Sequence, residues 1–334
     1  MAGNVDGQRG GAKAPQALRM AIKAFAKINV GLKVLYKRPD NYHELRSIFQ
    51  TISLADDITI EWRKQRTTTI SLDDPLGIPD NLMVRAAKLV LDETKRTGAV
   101  RMSLKKRIPM GGGLGGGSTD AAAVLMALPA LVGKPIAAGR LAELAVQLGA
   151  DVPFFLLGGT ALGLGRGEEL YTLPDLPQTK GVLVCPKVHV STAEAFRTLA
   201  REPYVQLTSP LGSRILEGFQ VLARSVTAQR PVGEWATLCE NDFEPAVFRQ
   251  HPNLKKIKRK LVRLGAMPAV MTGSGAALFG FFDTHRAAEE ARRSFGEESL
   301  SGEQAHRFTL VNRKQYAEHW QRAIEAVRPG MSRE

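Results

Sequence analysis

Cysteine is scarce in this chain of 334 residues: Cys185 and Cys239 are its two thiols. One bridge is the most they can form, and their wide separation makes a reduced, buried pair the expectation. No apolar run is long enough to cross a bilayer. The N-terminus lacks the apolar stretch of a secretory signal. A cytoplasmic protein with no membrane partner is therefore expected. Acidic residues are outnumbered, 33 against 46 basic, for a net charge of +13. Such a balance favours nucleic acid or anionic metabolites. The densest basic run, Lys255 to Arg263, has no interleaved aromatics for bases to stack on. Its apolar residues Leu254, Ile257, Leu261 and Leu264 recur at helical spacing, so its lysines read as a solvated face and no nucleic-acid partner is expected.

The rest of the composition is that of a globular protein, 44% hydrophobic and 24% charged, long enough for two domains. Residues 1–20 lack periodicity and read as a disordered extension. Residues 21–176 form one domain and 177–334 a second, divided at the polar, proline-containing stretch Pro174–Gln178. Strict alternation predicts a half-buried strand over Ala26–Val34, with Lys27 and Asn29 on the face away from the core. Further strands are predicted at 47–53, 58–63, 67–72, 102–106, 182–184, 270–272 and 277–282. Helices are predicted over Asn81–Arg96, capped by Asp80, and over Ile136–Leu148, ended by Gly149. Ser191 and Glu194 have the spacing of a capping box.

The strongest signal is Pro109-Met110-Gly111-Gly112-Gly113-Leu114-Gly115-Gly116-Gly117-Ser118-Thr119. Six glycines in seven positions allow tight bends and close approach to a ligand. The apolar run Ala121–Leu128 follows at once and predicts a helix opening at Ser118 or Thr119. Free loop amides beside a helix start suit a phosphate. A Walker loop needs a lysine before Ser118, where Gly117 stands instead. The dinucleotide pattern fits Gly111, Gly113 and Gly116 by letter but lacks an early βαβ unit. The protein-kinase triplets His-Arg-Asp and Asp-Phe-Gly are absent.

Pro109–Thr119 resembles the phosphate loop of the GHMP kinases, and Gly273-Ser274-Gly275-Ala276 resembles their C-terminal glycine loop. Other matches are Ala26-Lys27-Ile28-Asn29, Arg38-Pro39-Asp40-Asn41-Tyr42-His43, Asp80-Asn81-Leu82, Gly149 to Phe154, and Asn241 to Pro245. They point to the branch of that family whose substrate carries a cytidine diphosphate group. Asn41 stands where that branch commonly has glycine, Thr119 replaces a more usual serine, and the tail after Asn312 lies outside the pattern.

The resemblance implies an α+β, two-domain fold, with a ribosomal-protein-like N-terminal sandwich and a ferredoxin-like C-terminal domain. ATP, with Mg²⁺, and a small-molecule alcohol would meet between them, in a monomer or homodimer. Asp151, an acid in apolar company, would be the base that takes the hydroxyl proton. Lys27 would pair with it, and Asn29 would support the same site. Tyr42 would stack on the cytosine, His43 would read its polar edge, and Phe196 would close its other face. Asn81, Lys106 and Thr192 are further substrate contacts that the resemblance implies. Pro109 to Thr119 would hold ATP, with Ser118 near the metal, whose ligands stay open. Mevalonate- and homoserine-type members of the family are the nearest alternative, though their substrates offer Tyr42 and His43 no base.

Overall fold

A computed structural model describes residues 17–199, 210–297 and 302–327. The predicted extension thus lies outside the described residues apart from its last positions, and Leu18 to Met20 are already strand. The first sheet is built on two long strands, β1 (Leu18–Lys37) and β2 (His43–Lys64), paired antiparallel along their length. The strands expected at 47–53 and 58–63 are one ribbon, because the polar residues between them keep their place in the ladder with β1. Then come β3 (Thr69–Asp73), α1 (Leu82–Thr94), β4 (Gly98–Lys105), α2 (Gly116–Leu131), α3 (Ala138–Leu148), α4 (Phe154–Leu157), β5 (Thr160–Gly165) and β6 (Glu169–Thr172). The six strands run in the order β3-β4-β2-β5-β6, with β1 on β2.

A second, antiparallel sheet has the order β10-β7-β9-β8, from β7 (Lys180–Cys185), β8 (Ala269–Met271), β9 (Leu278–Phe282) and β10 (Gln304–Thr309). Its connections carry α5 (Thr192–Leu199), α6 (Pro210–Thr227), α7 (Val232–Trp235), α8 (Glu244–Gln250), α9 (Pro252–Arg263) and α10 (His285–Glu297), and α11 (Arg313–Val327) ends the described chain. Cys185 and Cys239 are buried and unbridged. In α9, Leu254, Ile257 and Leu261 are buried, as their spacing predicts. No described helix is long and apolar enough to cross a membrane.

Three local expectations change. The cap of α1 is Asn81, whose Oδ1 accepts from the Met83 amide at 2.9 Å, while Asp80 turns out at φ +47°. Gly149 after α3 has φ 161°, extended backbone open to any residue. Helix α2 opens at Gly116, earlier than the hydroxyl residues suggest, since the glycine amides are already helical there. From Ala121 on it is apolar on every side and runs buried behind the first sheet.

The tail departs most. Sequence assigns 177–334 to the second domain, yet Val311, Tyr316 and Trp320 pack in the core of the first sheet. The polar tail sequence hides this, because the residues that α11 covers lie far upstream.

Candidate active site

Between the two sheets lies a cleft of about 1020 Å³. Lys27, Asn29, Tyr42, His43, Lys106, Asp151, Thr192 and Phe196 line it, together with Pro109 to Gly117. Ser118, Thr119 and Asn81 do not: Thr119 is buried, and Asn81 is spent on its cap and on Asp74.

Strand β1 is buried on both faces over residues 26–32, not half-buried as its alternation predicts: Ala26, Ile28 and Val30 pack on Leu183, Val270 and Phe279 of the second sheet, while Lys27 is enclosed by Asp151 and Phe49 of the first domain and Asn29 by groups of both. Register shifts between Phe25 and Lys27 and between Asn29 and Gly31 flank the two site residues, as bulges do where a strand must re-aim a side chain. Lys27 Nζ donates to Asn29 Oδ1 at 2.8 Å and lies 3.5 Å from Asp151 Oδ2. Asp151 sits in the turn between α3 and α4, its side chain 37% exposed to the cleft against 4% for Lys27. The ammonium also lies 5.3 Å from the Phe49 ring centroid, an attraction strengthened by desolvation.

Asn29 joins the domains. Its Oδ1 accepts from the Gly273 amide at 2.9 Å and its own amide donates to Thr272 Oγ1 at 3.0 Å. Its Nδ2 donates to Ser47 Oγ at 2.7 Å. The phosphate loop is fixed from the same two sides. The Lys27 amide donates to Leu114 O at 3.1 Å and the Ala276 amide to Gly111 O at 3.2 Å. Gly113 has φ +73°, and a Cβ there would stand 2.4 Å from Thr272 O. Asn241 sets the C-terminal glycine loop, its Nδ2 donating to Met271 O at 2.7 Å and Gly273 O at 2.8 Å. Glu244 Oε1 accepts from the Met271 amide at 2.8 Å. The Asn241–Pro245 motif therefore shapes the loop from behind.

Lys106 is tied down between two carboxylates. Its Nζ lies 2.6 Å from Asp56 Oδ2 and 2.7 Å from Asp120 Oδ2, and 2.9 Å from where a Gly116 Cβ would be. It thus sits under the start of α2, on the phosphate-loop side of the cleft. Burial opposes its charge, but the two carboxylates outweigh burial and raise its pKa. Burial, with Asp56 nearby, pushes Asp120 up to about 7 against the pull of Lys106.

At the far end, Asn41 adopts φ +66°, a conformation asparagine tolerates better than most residues. The turn closes with Arg38 N donating to Tyr42 O at 2.8 Å. The Tyr42 face carries the Arg166 guanidinium at 4.7 Å, a cleft residue the sequence reading missed. His43 stacks on Phe196, 4.6 Å between centroids and 20° between planes. Phe196 therefore faces His43 and not, as expected, an open slot opposite Tyr42. Burial, with some help from Lys37, lowers the His43 pKa, so the imidazole is neutral near pH 7. Thr192 Oγ1 and Ser274 Oγ lie 2.9 Å apart, linking α5 to the C-terminal glycine loop.

The family model "GHMP kinases N terminal domain" matches residues 81–159, and "GHMP kinases C terminal" matches 223–301. The chain is 51% identical to the 4-diphosphocytidyl-2-C-methyl-D-erythritol kinase of Solibacter usitatus, over 91% of this chain and 92% of that one. It is 41% identical to the same-named kinase of Gloeobacter violaceus, over 80% and 87%. A crystal structure of 4-(cytidine 5'-diphospho)-2C-methyl-D-erythritol kinase superposes with a TM-score of 0.72 at 35% identity, covering 88% of this chain and all, 100%, of that chain. Homoserine kinase from Cytophaga hutchinsonii, at 17% identity and TM-score 0.70, shares the fold. The chain belongs to the GHMP kinases, in their 4-diphosphocytidyl-2-C-methyl-D-erythritol kinase branch.

Proposed function

We propose that this kinase transfers the γ-phosphoryl group of ATP to the 2-hydroxyl of 4-diphosphocytidyl-2-C-methyl-D-erythritol, giving the 2-phosphate and ADP. This is a cytoplasmic step of non-mevalonate isoprenoid synthesis. The observation that carries the mechanism is the Lys27–Asp151 pair, 3.5 Å apart at the mouth of the glycine loop. Asp151 accepts the proton of the 2-hydroxyl as its oxygen attacks the γ-phosphorus. Lys27, held by Asn29, fixes the carboxylate and offers its charge to the attacking oxygen. Loop amides from Gly111 to Gly117 and the start of α2 hold the phosphates. Transfer is direct, and the β–γ bridging oxygen leaves on ADP.

Among the described residues no group of three acidic, histidine or cysteine side chains gathers as a metal cage. Mg²⁺ would arrive on ATP, with phosphate oxygens and water as its ligands. The ion would offset charge on the phosphates. At the other end, the cytosine would stack on Tyr42, with neutral His43 reading its edge. Arg166 and Phe196 exchange their present ring contacts to admit the base.

The test is ADP release with ATP, Mg²⁺ and the cytidyl substrate, on wild type and Asp151→Asn. Wild-type turnover lost in the variant, with substrate binding kept, supports the assignment. A fully active variant overturns Asp151 as the base. Wild-type turnover on mevalonate or homoserine alone overturns the substrate.

A further inference from the structure

Helix α11 belongs to the tail that the family pattern leaves out, yet it touches the segment carrying Asp151. Tyr316 is buried, and its hydroxyl donates to Phe155 O at 2.5 Å across 161 residues. Its ring lies on bare backbone: a Cβ on Gly158 would stand 2.4 Å from it. Beside it, the Arg313 guanidinium donates to Thr160 O at 2.6 Å and to Gly158 O at 3.3 Å. Phe155 is the inner residue of this contact. Its amide donates to Val152 O at 3.1 Å, next to Asp151. Its ring edge lies 2.6 Å from where a Gly115 Cβ would be, and that same point is 3.4 Å from Lys27 Cγ.

We propose that Tyr316 is a positioning residue for phosphoryl transfer: by holding the Phe155 carbonyl it sets both the Asp151 turn and the ring that abuts the phosphate loop beside Lys27. The two halves of the chemistry, the base and the loop, share Phe155 as their common support. Tyr316 fixes that support from a different part of the chain. A displacement of about 1 Å in such a support can cost a hundredfold in rate without touching a substrate. The inference rests on Asp151 being the base.

The experiment compares steady-state kinetics and thermal midpoints of wild type, Tyr316→Phe, Phe155→Leu and Ile324→Ala. Tyr316→Phe removes one oxygen and leaves the packed ring. Phe155→Leu keeps the carbonyl but withdraws the ring from Gly115. Ile324 packs on the same core from α11, away from the turn, so its truncation loosens the helix generally. The expected result is a roughly tenfold lower kcat in Tyr316→Phe and Phe155→Leu, with both KM values within twofold. Ile324→Ala keeps its kcat despite a lower midpoint. A kcat within twofold of wild type in Tyr316→Phe overturns the proposal. So does an Ile324→Ala kcat that falls as far. Should Tyr316→Phe fail to fold, Phe155→Leu decides by the same criterion. An inactive Asp151→Asn beside a fully active Tyr316→Phe sinks this inference alone, whereas an active Asp151→Asn sinks the base it depends on.

Discussion

At the proposed transfer end of the cleft Lys27 and Asn29 are 3% and 2% exposed, while at the proposed recognition end Tyr42 is 56% exposed. At the first end the polar partners belong to both domains and are already in place: Asn29 alone meets Lys27, Ser47, Thr272 and Gly273. At the second, the rings are occupied by one another and by Arg166. Positioning for chemistry is thus built into the fold, where reorganisation during the reaction would slow it. On the proposed function, recognition is left to side chains that would trade existing contacts for substrate contacts, so the base would be bound at the cost of breaking them.

Breaking the transfer end should therefore cost turnover. Asp151→Asn is expected to lower kcat about a thousandfold with little change in substrate affinity, checked by single-turnover assay and substrate titration. Gly113→Ala comes next. Its methyl group would run into Thr272 O, and its φ of +73° disfavours any side chain. About a hundredfold loss in kcat/KM for ATP is expected, measured with the cytidyl substrate saturating. The recognition end should answer in KM. Tyr42→Ala removes a stacking face that is worth about 1–3 kcal/mol per base. It should raise KM for the cytidyl substrate about tenfold or more while leaving KM for ATP unchanged. A matching fall in kcat would erase the distinction between the two ends.

The smallest effect is a pH dependence. The folded protein holds the His43 pKa below its usual 6.5. Its neutral form persists at pH 7 and is lost as pH falls through the lowered value. KM for the cytidyl substrate should be flat above neutrality and rise several-fold on acidification. A His43→Gln variant should show no such rise.

The loop and the Asp151 segment were legible because backbone chemistry writes them locally: glycines where φ is positive, an acid set among apolar residues. The strand with Lys27 and Asn29 was legible as a strand, but its burial was not. Alternation reports one core, and here the second domain supplies it, on Ala26, Ile28 and Val30, while the polar face is closed in by Asp151, Phe49 and Ser47. Asn81 looked like a substrate contact and is a cap, since a residue that can read a ligand can equally close a helix. Lys106 was named only by the resemblance, because its partners, Asp56 and Asp120, are set by pairing across the sheet and by the helix behind it. Arg166 gave no signal short of its place opposite Tyr42. Tyr316 and Arg313 were invisible for the same reason as the tail's position: their contacts lie more than a hundred residues upstream.

That last placement bears on how the chain is made. Synthesis proceeds from the N-terminus, so the first sheet and α2 leave the ribosome long before α11. Until then the apolar patch destined for Tyr316 and Trp320 has no cover, and an uncovered patch of that kind invites association with other chains. A nascent chain stalled short of residue 313 would carry the complete glycine loop and Asp151 yet remain an open, adhesive intermediate. For this enzyme, the first domain closes its core only once α11 has emerged.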